Sequence, residues 1–139
     1  MEKVIAVTTE ALVISPEGVN DDTILDSGAT EHISPKVAGV LTPAPISSIH
    51  GLSGTGTPVK GMGTVNQVRN VMCCPGTTRR LLSVGSLLEQ LGGKVVFTLK
   101  GAYHVARGLT TTLATRRGAG LYKVSNGQFI LNSPGTVSQ

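Results

Sequence analysis

The chain has 139 residues, with 12 Lys+Arg against 8 Asp+Glu, a net charge of +4 and a pI near 9.4. That is enough for one domain with its own core, and 40% hydrophobic residues with a mean hydropathy of +0.17 exclude disorder over most of it. No apolar run approaches the ~20 residues of a membrane helix, the opening MEKVIAVTTE lacks the apolar stretch of a secretory signal, and +4 is too small a charge to argue nucleic-acid binding by itself.

Few charged residues (14%), few aromatics (3%) and 18 glycines predict strands joined by turns rather than a helix bundle. Residues 4–14 read as one strand, or a strand with a break, closed by Pro16 and Gly18. Asn20-Asp21-Asp22 is a polar break, and Thr23-Ile24-Leu25 is a short apolar strand running into Asp26-Ser27-Gly28. Ile33 to Leu41 is a mixed segment interrupted by Pro35. The Gly-rich block Gly51 to Pro58, flanked by Ile46 and Ile49 and by Val59, Met62 and Val65, predicts a hairpin with a mobile tip. A strand is expected to continue from Val65 to Met72, followed by a turn at Pro75-Gly76. Ser86-Leu87-Leu88-Glu89 has capping-box spacing and Gly92-Gly93 is a matching stop, which predicts one short helix over Ser86 to Leu91. Val95 to Leu99 is a strand of β-branched and aromatic type. Beyond Gly101 the pattern weakens. Tyr103, Val105, Tyr122, Val124, Phe129 and Ile130 can supply further short strands, Arg107 to Gly120 is a polar stretch, and residues 132–139 read as a loose tail.

The sharpest chemical feature is Leu25-Asp26-Ser27-Gly28-Ala29-Thr30, a carboxylate at the end of an apolar strand followed by a hydroxyl and small residues. The layout leaves the carboxylate where a substrate backbone can approach it. Alone, the tripeptide also reads as an ordinary strand-ending turn. Gly51-Leu-Ser-Gly-Thr-Gly lacks the Gly-Lys-(Ser/Thr) ending of a phosphate loop. His32 reads as packing for the Asp loop and His50 as solvated. Arg79-Arg80 and Arg116-Arg117 read as solvated faces. Cys73 and Cys74 are adjacent and read as core residues; with no C-x-x-C partner they imply neither a zinc site nor a disulfide framework, and a reducing compartment fits them.

In order, these motifs resemble the aspartic proteases of retroviruses and retrotransposons, and most closely those of Ty1/copia-class LTR retrotransposons. The segment LDSGATEH, Leu25 to His32, matches the class pattern Leu-Asp-Ser-Gly-Ala-(Ser/Thr)-x-His. Gly56-Thr57-Pro58-Val59-Lys60-Gly61-Met62-Gly63-Thr64-Val65 follows its flap-region pattern. Val71 to Pro75 and Leu81-Leu82-Ser83-Val84 follow its later motifs, so the likeness spans roughly residues 20 to 124. Arg80 stands where the class usually has Asn. Ser83 stands where retroviral relatives have Gly, and Thr30 where they have an Asp that contacts substrate backbone.

The resemblance implies an all-β, retropepsin-like half-barrel protomer with one short helix, completed as a homodimer. Residues 1–100 would be the protease domain, and 101–139 a C-terminal extension with additional strands and a flexible linker towards integrase. The implied activity is aspartic endopeptidase, processing a Gag-Pol polyprotein within cytoplasmic virus-like particles. Asp26 would be catalytic, Ser27 and Gly28 would form the active-site loop, and Gly28, Ala29, Thr30, Gly54, Thr55 and Gly56 would bind substrate. The chain holds one Asp-Ser-Gly, so a carboxylate dyad needs two copies. No metal, cofactor, membrane or direct nucleic-acid partner is expected. The alternative is a non-catalytic or domesticated retropepsin-fold module for dimerisation or peptide binding.

Overall fold

The structure, a computed structural model, describes residues 22–50, 56–118 and 120–131. The strand expected over residues 4–14, the hairpin tip and the tail at 132–139 lie outside the described residues. The elements are β1 (Thr23–Asp26), β2 (His32–Ser34), β3 (Ser48–His50), β4 (Gly56–Pro58), β5 (Gly61–Val65), β6 (Val68–Cys73), β7 (Arg80–Ser83), helix α1 (Val84–Leu91), β8 (Lys94–Phe97), β9 (Gly101–Ala106), β10 (Leu109–Arg117), β11 (Leu121–Val124) and a 3-10 turn at Gly127–Phe129. The chain is mostly β, as its composition predicts.

Nine of these strands form one sheet in the order β5-β6-β2-β7-β1-β11-β10-β9-β8, and β3 and β4 form a separate hairpin. The middle of the sheet is covered on both sides. Every residue of β1, β2 and β7 is buried, as expected of strands that pair in parallel (β1 with β7, β2 with β6) and cannot leave one face in water. Successive residues point to opposite faces, and the two faces feed two cores. Leu25, Leu82, Val71 and Cys73 enter one, together with Leu87 of α1. Ile24, Leu81, Met72 and Cys74 enter the other, together with Ile46 and Ile49 at the hairpin.

Residues 101–131 supply three strands of this same sheet. β11 pairs with β1 at Ile24↔Lys123, and Leu113, Ala114, Val124, Phe129 and Leu131 lie in the core that holds Leu25. The chain after β11 is stitched back across the molecule. The Leu131 amide donates to Thr23 Oγ1 at 3.0 Å, Ser34 Oγ donates to the Leu131 carbonyl at 3.4 Å, and Asn66 Nδ2 donates to the Ile130 carbonyl at 2.6 Å.

Several local expectations are corrected. Val65 to Met72 is not one strand: β5 and β6 form a hairpin turning at Asn66, whose φ of 53° takes the left-handed region that Asn tolerates. The helix starts at Val84 and its N-cap is Ser83, whose side chain accepts from the Ser86 amide; Ser86 does not cap it. Gly92 is the C-cap, with φ 72°, as expected. The polar stretch Arg107 to Gly120 contains β10, the longest of the described strands. Its Thr110-Thr111-Thr112 run is β-branched and suits a pleated surface. The turn into it, Arg107-Gly108, has φ of 55° and 78°, the two positive values of a type I′ hairpin, with Arg in a place usually held by Asn or Asp.

On β10, Leu113 is fully buried and Leu109 is 71% exposed. Leu113→Ala should cost about 3 kcal/mol of unfolding free energy, and Leu109→Ala less than about 0.5 kcal/mol. Urea denaturation of both variants checks the assignment of residues 101–131 to the core.

Candidate active site

Asp26 is the last residue of β1 and pairs in parallel register with Ser83, the last residue of β7. It is 3% exposed. The chain leaves β1 through a turn that the carboxylate helps to build, the Gly28 amide donating to Asp26 Oδ1 at 2.7 Å. The residues that follow alternate in exposure: Ser27 is exposed, Gly28 half-buried, Ala29 buried and Thr30 exposed.

This loop is tied to the β7–α1 junction by side chains. Ser83 Oγ donates to the Ala29 carbonyl at 2.7 Å and accepts from the Ser86 amide at 3.1 Å. Ser86 Oγ donates to the Thr30 carbonyl at 2.9 Å. The Ser83 amide donates to Nδ1 of His32 at 2.9 Å. One serine thus caps the helix and holds the loop, which a glycine could not do. The sequence places Ser83 and His32 in motifs that match the Ty1/copia pattern and reads His32 as packing, but it assigns neither of them this hydrogen bond. The available signal was their place at the ends of the matched motifs LDSGATEH and Leu81-Leu82-Ser83.

His32 is fully buried. Because Nδ1 accepts a hydrogen bond, the ring proton of the neutral imidazole is on Nε2. Nε2 is buried and finds no partner among the described residues. Burial lowers the pKa of His32 from 6.5 to about 4.

Of the remaining expected site residues, Gly56 is the exposed first residue of β4, while Gly54 and Thr55 lie outside the described residues. β3 and β4 pair antiparallel from Ser48↔Pro58 to His50↔Gly56. Ile49 of β3 is in the same buried cluster as Ala29 of the Asp loop. His50 is half-buried rather than solvated: its ring stands over Gly56, where an added Cβ would meet Nε2 at 2.9 Å. Arg80 is buried on β7, so Arg79-Arg80 is not a solvated face, whereas Arg116 and Arg117 are exposed. Cys73 and Cys74 are free and buried. Burial, with Cys73 beside it, pushes the Cys74 thiol up to about 12, which makes it a poor nucleophile.

A polar hollow of about 330 Å³ lies on the helix side of the loop, lined by Glu31, Arg69, Asn70, Ser86, Glu89 and Gln90. Gln90 ties α1 to the β5–β6 hairpin across it, accepting from the Arg69 amide at 3.1 Å and donating to the Gln67 carbonyl at 2.7 Å. Among the described residues no group of three or more His, Cys, Asp or Glu could hold a metal ion, and no helix is long and apolar enough to cross a membrane. Comparisons of the chain with protein-family models, curated proteins and solved structures find no match.

The displaced titration of His32 has a defined sign. The unfolded chain takes up a proton near pH 6.5 and the folded protein only near 4. Stability from this group is therefore whole above pH 6.5 and is lost on acidification through that window, by about 3 kcal/mol at most. Urea titrations at pH 7 and pH 4.5 should show this loss in the wild type, and a smaller one in His32→Asn, which cannot take the proton.

Proposed function

We propose that the chain is the protomer of a homodimeric, retropepsin-like aspartic endopeptidase that processes a retrotransposon Gag-Pol polyprotein in cytoplasmic particles. The observation that carries this reading is the placing of Asp26. A carboxylate ends a strand buried on both faces, in register with the residue that caps the helix, and is followed by an exposed hydroxyl and a half-buried glycine. The motif order of the sequence supports the same reading.

Water attacks a peptide carbonyl when one group removes its proton and another protonates the departing nitrogen. Two carboxylates sharing one proton perform both tasks. At ~4 Å and an effective dielectric near 20, two such charges repel by about 4 kcal/mol, so the pair retains a single proton and titrates as a unit. Two copies of Asp26 across a two-fold axis would form that pair. Ser27, exposed at the loop, would bond across the axis. The β3–β4 hairpin would close over an extended peptide, which adds to it through main-chain hydrogen bonds.

The second copy would meet the first along β8. Among the described residues β8 is an edge of the large sheet, with Val96 37% exposed and Leu99 beyond it 82% exposed. An uncovered apolar edge strand is a template for pairing with another chain.

Cleavage of a Gag-Pol-derived precursor should rise faster than linearly with protein concentration and vanish in Asp26→Asn. Cleavage that survives in the mutant would remove Asp26 from the chemistry. A wild type that sediments as a dimer and cuts nothing would identify the alternative, a dimerisation or peptide-binding module. The double variant Val96→Asp/Leu99→Asp should raise the dimer dissociation constant on the order of tenfold or more, as read by sedimentation equilibrium; an unchanged constant would place the dimer contact elsewhere.

A further inference from the structure

We propose that His32 is a positioning residue for Asp26: by accepting the Ser83 amide on Nδ1, it fixes the loop after β1 against the β7–α1 junction and so holds the carboxylate in one orientation. The inference rests on the protease reading for its catalytic consequence, but not for its structural one.

The geometry forms a closed circuit. Asp26 and Ser83 are register partners in the parallel pairing of β1 with β7. His32 opens β2, at the far end of the loop that Asp26 begins. Its bond to the Ser83 amide therefore closes the loop onto the residue beside its start, across 51 positions of sequence. Within the circuit, Ser83 Oγ holds the Ala29 carbonyl and Ser86 Oγ the Thr30 carbonyl. The Gly28 amide, in the middle, orients Asp26 through Oδ1. Without the imidazole the loop keeps its β2 pairing and the Ser83 Oγ and Ser86 Oγ bonds, but it loses the tie between its far end and the Ser83 amide.

The imidazole is also a costly way to fill this place. Its Nε2 is buried without a partner among the described residues, a loss that a leucine or phenylalanine would not carry. What the ring supplies and an apolar side chain does not is an acceptor for the Ser83 amide. That acceptor is what the proposal assigns to function.

The test uses the full chain and four variants. His32→Leu removes the acceptor. His32→Asn places a side-chain oxygen near the position of Nδ1, whereas His32→Gln reaches towards that of Nε2. Leu113→Ala lowers stability from a buried site on β10. Backbone amide hydrogen exchange should show the Gly28 and Ser83 amides losing protection tenfold or more in His32→Leu and His32→Gln, relative to amides of the β9–β10 pair. His32→Asn should restore that protection, and Leu113→Ala should leave the ratio unchanged. In precursor cleavage the same two variants should lose kcat tenfold or more with KM within about twofold, again rescued by Asn. Should His32→Leu fail to fold, the Asn–Gln contrast carries the test. Gly28 protection that ignores the His32 substitutions, or that falls equally in Leu113→Ala, overturns the proposal. Protection that follows His32 in a protein without cleavage activity upholds the positioning role and overturns the protease reading instead.

Discussion

The hydrogen bonds of Ser83 are the point on which the candidate site depends. Its hydroxyl is both donor and acceptor, so it holds the Ala29 carbonyl and caps α1 at once, while its amide is committed to His32. A buried polar group is stabilising only when its partners are in place. Here each partner belongs to a different element, so β7, the helix and the Asp loop are ordered together. A glycine at this position would retain the amide bond alone and would leave the helix start and the Ala29 carbonyl to other partners.

That junction is rigid because the strands beneath it are packed on both faces. β1 and β7 send alternate residues into separate clusters, Ile24 and Leu81 to one, Leu25 and Leu82 to the other. A one-residue slip of either strand would exchange its two sets of side chains and would move Asp26 out of register with Ser83. The C-terminal strands contribute to one of these clusters through Leu113, Ala114 and Val124, and the closing segment reaches Thr23 at the start of β1. Packing far from the loop along the chain thus fixes where the carboxylate stands.

Much of this was legible locally. The β class, the strand ending at Asp26, the hairpin arms around the Gly-rich block, the turn at Pro75-Gly76 and the stop at Gly92 all follow from short-range rules of period and turn chemistry. Ser86 looked like the helix cap because Glu89 stands three residues on, but Ser83 takes the role, and Ser86 serves the Thr30 carbonyl, a partner 56 positions away. Arg107-Gly108 lacks the usual Asn-Gly or Asp-Gly hairpin signature, and the pairing of β9 with β10 imposes its positive φ.

By itself, the sequence determined which residues are apolar, where the chain must turn, and that one Asp-Ser-Gly follows an apolar strand. These properties depend on neighbours within a few positions. Tertiary structure alone decided that His32 is a neutral acceptor, that Ser83 joins three elements, that Arg80 is buried, and that residues 101–131 belong to the sheet containing Asp26. Each of those facts depends on a partner distant along the chain. Whether a polar side chain is solvated, satisfied or stranded is set by what folding places beside it, and residue spacing carries no record of that.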